Sequence, residues 1–240
     1  MNFHERLVQG NYYHIYNQGL NGINIFIETK NYEHFYGLIQ KYIKPIAYLY
    51  AWVFMPNHFH LLVRIKENLV YRYTETDFPG HPEDFHNLKW QTVELDNHHE
   101  INNQKPSNID STDIPSCEFN KRPEVYLHFS HLFNAYTRYY NKLFNRKGKL
   151  FERSFKRKAI GDKDYLKKVL LYIHNNPVHH GFCEHAMDYP WSSYLNYVSV
   201  RSKTLLNDSV MGWFDDEANF RLMHGQKLNI KPIEEWLDME

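Results

Sequence analysis

The chain has 240 residues, 42% hydrophobic and 17% aromatic, and its 28 basic and 28 acidic side chains cancel to zero formal charge. That composition excludes a disordered chain and allows one full core, or one domain carrying a sizeable insertion. No apolar run approaches the roughly 18 residues of a membrane span, the first ten residues lack a signal-peptide core, and two cysteines, Cys117 and Cys183, make neither a disulfide framework nor a cysteine zinc site, so a cytoplasmic location is expected.

The zero balance hides an uneven distribution. From 138 to 158 stand Arg138, Lys142, Arg146, Lys147, Lys149, Arg153, Lys156, Arg157 and Lys158 against the single acid Glu152. Residues 67–120 hold eleven acids and three bases. A local excess of positive charge of this kind is suited to phosphates, and a solvated surface is its bland alternative.

In chain order, residues 12–17 alternate aromatic and polar side chains and predict a strand, followed by a turn at 19–22 and a short strand or bridge at 23–27. Asn31 is the expected cap of a helix reaching about Tyr42, with Phe35, Leu38, Ile39 and Tyr42 on one face and Pro45 beyond its end. Residues 47–54 read as a strand partnered with the one that carries His58 and His60 and continues through 61–65, the two joined by a tight connection at Pro56-Asn57. The pattern then fails from about 66 to 122, where prolines and many Asn and Asp mark a polar acidic insertion, 67–120, with a short hairpin of 71–78 and 88–95 inside it. Periodicity returns over 125–145 with the stripe Leu132, Phe133, Tyr136, Tyr140, Leu143 and Phe144, ended by Gly148. Residues 150–160 alternate as an extended segment, Asp162 caps a helix from 163 to about 176, and Pro177 stops it. The expected organisation is one domain formed by 1–66 and 121–200, the insertion, and a C-terminal extension of short helices, 201–240.

Two places carry chemistry. In an extended segment His58 and His60 project to one side, roughly 6.6 Å apart along the backbone, while Phe59 anchors the other face. Two neutral imidazoles suit a divalent cation, although paired histidines on a strand are often only polar neighbours. Tyr172 and Asn176 lie four residues apart and share a helical face. The competing reading makes Tyr172 one of 19 tyrosines in a core and Asn176 a helix end. His174, His179 and His180 read as local caps or surface residues, His174 being near enough to Tyr172 to influence its proton.

Pro56-Asn57-His58-Phe59-His60 resembles the motif of two histidines flanking a hydrophobic residue in the HUH single-strand DNA transposases, and the segment from Tyr172 to Val178 resembles the tyrosine helix of their REP-associated tyrosine transposase branch. The blocks 13–17, 148–156 and 188–194 add to the likeness, which covers about residues 10–200. The long insertion and the last 40 residues depart from it. The resemblance implies a ferredoxin-like α+β fold, an antiparallel sheet with helices on one face, and Mg²⁺ or Mn²⁺ on His58 and His60 with Asn176 as third ligand. It also implies Tyr172 as nucleophile, a 5′-phosphotyrosine intermediate, and single-stranded DNA with a hairpin as partner of a monomer or homodimer. The basic residues of 138–158 would then contact phosphates, with exposed aromatics such as Tyr139 stacking on bases. A hairpin-binding protein that does not cleave, and a metal-dependent nuclease using water, are the alternatives.

Overall fold

The computed structural model describes residues 5–72, 91–94, 124–152, 154–199, 205–226 and 228–236. Its centre is a four-stranded antiparallel sheet of β1 (Tyr12–Gln18), β2 (Ala47–Met55), β3 (His58–Ile65) and β6 (Lys156–Ile160), in the order β2-β3-β1-β6. With α1 (Thr29–Tyr42) between β1 and β2 and α2 (Val125–Leu143) between β3 and β6, the succession β-α-β-β-α-β is the ferredoxin-like arrangement. The histidine strand β3 is central, between β1 and β2.

Alternation of side chains divides the strands between two cores. Tyr13, Ile15, Phe54, Phe59, Leu61 and Val63 face α1 and α2, where Phe35, Ile39, Phe129, Leu132 and Tyr136 complete the first core. The opposite face buries Tyr16, Ala51, Val53, Met55 and Leu62 against α3 (Lys163–His179) and the C-terminal helices. The α+β class and antiparallel sheet are those expected. The helices of the ferredoxin-like unit share one face, and α3 with its neighbours covers the other.

Several local expectations change. Asn31 is not the helix cap: Glu28 is, and Asn31 stands three residues in, where Oδ1 accepts from the backbone N–H groups of Ile27 and Glu28. No strand forms at 23–27; the N–H groups of Ile25 and Phe26 instead donate to the Pro56 carbonyl at 2.7 and 2.9 Å, fixing the turn before His58. Gly19 serves the same corner, since a Cβ there would stand 2.1 Å from the Ile23 carbonyl oxygen. Helix α2 ends at Leu143, before Gly148, and the extended segment pairs as a strand only over β6, apart from a single bridge between Phe151 and Gly19.

Pro177 does not stop α3, which continues to His179 and closes with the His180 N–H on the Asn176 carbonyl. Asp162 caps its start by accepting from the Asp164 N–H, as expected. Within the insertion, β4 (Leu69–Arg72) and β5 (Gln91–Glu94) pair antiparallel, a shorter hairpin than expected; residues 73–90 and 95–123 lie outside the described residues.

After α3, residues 191–193 run along the free edge of β2, with the Phe54 N–H on the Trp191 carbonyl and the Ser193 N–H on the Trp52 carbonyl, both at 2.9 Å. Helices α4 (Tyr194–Val198), α5 (Leu205–Met211), α6 (Glu217–Gly225) and α7 (Lys231–Trp236) follow. Tyr194, Phe214, Phe220 and Ile233 carry this region into the second core, where α6 and α7 pack against α3. No helix among the described residues is long and apolar enough to cross a membrane.

Candidate functional site

The site forms where α3 crosses β2 and β3. Phe59 faces the first core against Phe35, Phe133 and Phe151, with ring centroids 5.1, 5.5 and 6.1 Å away, and this anchor fixes which side of β3 shows His58 and His60. Their rings lie 5.2 Å apart. Across from them, Leu166, Val169, Leu170 and Ile173 bury α3 and turn Tyr172 and Asn176 toward the histidines. His58 Nε2 stands 3.0 Å from Asn176 Oδ1, and the Tyr172 ring lies 5.4 Å from that of His60. The two histidines and the two helix residues singled out in the sequence are therefore brought together.

Burial sets the protonation states. It lowers His58 to about 4 and His60 well below the usual imidazole range, so both are neutral near pH 7. A neutral imidazole has one N–H. His58 Nδ1 lies 2.7 Å from Asn57 Oδ1 and Nε2 lies 3.0 Å from Asn176 Oδ1, so with the proton on Nδ1 the Nε2 lone pair faces Asn176, and with the proton on Nε2 the ring donates to Asn176 Oδ1. In the first tautomer the 3.0 Å contact suits a cation shared by the two atoms or an amide turned with its NH₂ to the ring; in the second it is an ordinary hydrogen bond and the Asn57 amide turns instead. His60 Nε2 and Asn176 Nδ2 are buried without hydrogen-bond partners, an arrangement costing about 1 to 3 kcal/mol for each atom.

These residues fit a divalent ion held by His58 Nε2, His60 Nε2 and Asn176 Oδ1. All three donors are uncharged, so they bring no negative charge to such an ion. No group of three or more His, Cys, Asp or Glu able to hold a metal occurs among the described residues, and the amide is what distinguishes this set from an ordinary carboxylate cage.

Tyr172 is 1% exposed. Burial first, and then the charge of Glu234 on α7, raise its phenol well above the usual tyrosine range, while the adjacent Asn176 amide acts in the opposite direction. Its surroundings are nonetheless polar on one side: His14, Tyr16, His60 and Asn176 all approach it.

The nine basic residues do not make one patch. Cross-strand partners share a face, so Lys156 opposite Tyr16 and Lys158 opposite His14 lie on the histidine side of the sheet. Lys156 Nζ sits 5.6 Å from the Tyr16 ring centroid, and Lys158 Nζ is equally far from that of Trp236. Lys147 and Lys149 are exposed in the connection that returns to the end of β1, where Gln18 pairs with His58. Arg138 and Lys142 are exposed on α2, across the sheet from Tyr172. Arg146 covers Tyr140, and Arg157 points to the first core's side, over Tyr126 and Phe155 with Nε on the Glu5 carbonyl. Arg153 lies outside the described residues. Tyr139 stacks on His34 with centroids 3.8 Å apart, also on the α1–α2 side.

One of the three helix histidines departs from its sequence reading. His174 is neither cap nor surface residue: fully buried, it bonds His224 and Ser193 and points away from the phenol's pocket. His180 is exposed, yet its ring lies 5.1 Å from that of His58. His14 was not singled out, and its Nε2 lies 3.0 Å from His60 Nδ1. The available signal was its place in the alternating strand 12–17, on the face shared with Tyr16, which pairs with His60.

No protein-family model matches the chain, and no curated protein matches it. Among solved structures, the chain is similar to a REP-associated tyrosine transposase bound to a REP hairpin, at 14% identity and a TM-score of 0.48, over 85% of this chain and 88% of that one.

Proposed function

We propose that this protein is a divalent-metal-dependent single-strand DNA endonuclease and transposase that cleaves beside hairpins through Tyr172. The observation that carries the reading is the meeting of Tyr172 and Asn176 on α3 with His58 and His60 on β3, at the 3.0 Å His58–Asn176 contact and the 5.4 Å ring separation of Tyr172 from His60. The motif likeness of the histidine strand and the tyrosine helix points to the same chemistry.

In this reading His58, His60 and Asn176 hold Mg²⁺ or Mn²⁺, and the chemistry such an ion supplies when bound is Lewis-acid polarisation of a phosphate oxygen. Tyr172 Oη attacks the phosphorus, forming the tyrosyl P–O bond and breaking the P–O3′ bond. The phenol loses one proton and the departing 3′ oxygen gains one. The phosphodiester energy is conserved in the 5′-phosphotyrosine, so a 3′-hydroxyl can reverse the step at a new junction without ATP. Lys147, Lys149, Lys156 and Lys158 are placed to follow the strand's phosphates; neutralising four of them corresponds to a log–log salt slope of about −3.

The near-complete burial of Tyr172 favours a second reading, a hairpin-binding protein on the same fold that does not cleave. One experiment separates the two. A labelled single-stranded hairpin oligonucleotide is incubated with Mn²⁺ and run on a denaturing gel. A protein-linked band lost in Tyr172→Phe is the expected result; hairpin binding with neither adduct nor cut product supports the second reading, and cut product without adduct supports attack by water.

A further inference from the structure

His14 has no role in the chemistry so far, yet it is fully buried beside the ring that lacks a partner at Nε2. Tyr16 pairs with His60 and His14 with Leu62, so His14 and His60 are diagonal neighbours on one face of β1 and β3. Their rings lie within 16° of parallel with centroids 5.0 Å apart and a 3.0 Å N···N separation, the head-to-head geometry of a nearly in-plane N–H···N bond. Tyr16 stacks on His14 at 4.9 Å and Tyr172 meets it edge-on at 6.2 Å, so the ring is held on both sides.

One proton sits between the two nitrogens, and its owner decides what His60 can do. If His14 Nε2 donates, His60 carries its proton on Nε2 and presents N–H to the site, useless to a cation. If His60 Nδ1 donates to His14 Nε2, then His60 Nε2 is a bare lone pair directed away from His14. The second arrangement turns a buried unpartnered nitrogen into a ligand, and a ring nitrogen anchored by a hydrogen bond is how ligand histidines are normally oriented.

We propose that His14 is a positioning residue that accepts the Nδ1 proton of His60 and thereby holds His60 Nε2 ready for the divalent ion. The inference rests on the metal reading given above. His14 does not touch the ion; it selects the tautomer and the ring orientation of the histidine that does.

The test uses the full chain and Mn²⁺ alone. Titration calorimetry compares the unaltered protein with His14→Phe, which keeps a ring without an acceptor, and His14→Gln, whose Oε1 places an acceptor near the lost Nε2. The expected result is a Mn²⁺ affinity weakened about tenfold to a hundredfold in His14→Phe and largely restored in His14→Gln. NMR of ring-nitrogen-labelled histidines in the metal-free, unaltered protein reads the tautomer directly and requires no variant to fold. Protonation of His60 at Nδ1 is expected; protonation at Nε2, or unchanged Mn²⁺ affinity in a folded His14→Phe, overturns the role of His14 alone. Failure of the unaltered protein to bind Mn²⁺ overturns the metal reading and the role of His14 with it.

Discussion

Two pairs of buried histidines touch through ring nitrogens, His14 with His60 and His174 with His224, at 3.0 and 2.9 Å, and they end differently. The second pair belongs to a closed chain of donors. The Trp52 N–H donates to Ser193 Oγ, which can donate to His174 Nε2; His174 Nδ1 can donate to His224 Nε2, and His224 Nδ1 to the Phe220 carbonyl. Every nitrogen is used, and the chain ties β2 to α3 and α6. The first pair leaves His14 Nδ1 and His60 Nε2 unpartnered in a fully buried setting, beside the equally unpartnered Asn176 Nδ2. Burial alone does not separate structural from functional histidines here. What differs between the two pairs is completeness of hydrogen bonding, since an unpaired buried polar atom is costly to keep.

The largest expected effects break the comparison from both ends. His60→Ala should retain the fold and weaken Mn²⁺ binding by about a hundredfold or more, since a direct ligand is lost rather than its support. His174→Ala should do the reverse. It opens a cavity and strands the partners of a closed chain, costing about 3 kcal/mol, while the protein that remains folded binds Mn²⁺ normally. Calorimetric Mn²⁺ titration beside urea denaturation of both variants reads the two quantities. The same phenotype in both would erase the distinction between the pairs.

Acid provides a second, smaller separation. Burial lowers His224 to about 4, against an unfolded value near 6.5, so the unfolded chain binds its proton first. The stability that neutral His224 contributes is therefore complete above about pH 6.5 and is lost as pH falls toward 4. Between pH 7 and pH 5 the loss is about 2 kcal/mol. His224→Gln keeps hydrogen-bonding groups without a titration, and should show a stability difference between pH 7 and pH 5 smaller by about that amount. Equal slopes in the two proteins would mean that His224 is not held neutral by its chain.

The same contrast explains what was legible in the sequence. His58, His60, Tyr172 and Asn176 were legible because two-residue and four-residue spacings place side chains on one face of a strand and of a helix, whatever the rest of the chain does. Their meeting was not, since it depends on α3 lying across β2 and β3. His14 was hidden for the same reason: its partner is 46 residues away, and only the pairing of β1 with β3 brings them together. The basic run failed differently. Charge counted along the chain ignores which face each residue takes, so Arg157 and Lys158, adjacent in sequence, lie on opposite faces of β6. Pro177 was read as a stop, but at that point α3 needs only one more turn, which the Phe182 N–H closes on the Pro177 carbonyl.

Asn176 tests the open site more gently than His60. Asn176→Ala removes one oxygen donor and leaves both imidazoles, so Mn²⁺ affinity should fall by about tenfold, equivalent to about 1.4 kcal/mol. Asn176→Asp should strengthen it, because a carboxylate brings negative charge to a set of neutral donors. Equal affinities in the unaltered protein and Asn176→Ala would remove Asn176 from the ligand set and restore its reading as a helix-end residue. The closed chain predicts no such gradation at Ser193, whose loss should register in stability alone.

The smallest effect concerns the charge of Glu234 beside the open site. Glu234 is half-buried on α7, and its charge adds to burial in keeping the Tyr172 phenol protonated. Glu234→Gln removes that charge and leaves burial in place, so the phenol should titrate at lower pH while staying above the ordinary tyrosine value. The rising alkaline limb of single-turnover adduct formation should accordingly move toward acid, and only slightly, since a charge near solvent is partly screened. Glu235→Gln is the control: Glu235 is exposed and pairs with Lys231 at 3.9 Å, so its limb should stay where it is. A shift shared by both variants would assign the effect to the net charge of α7, and no shift in either would remove Glu234 as a cause of the raised phenol.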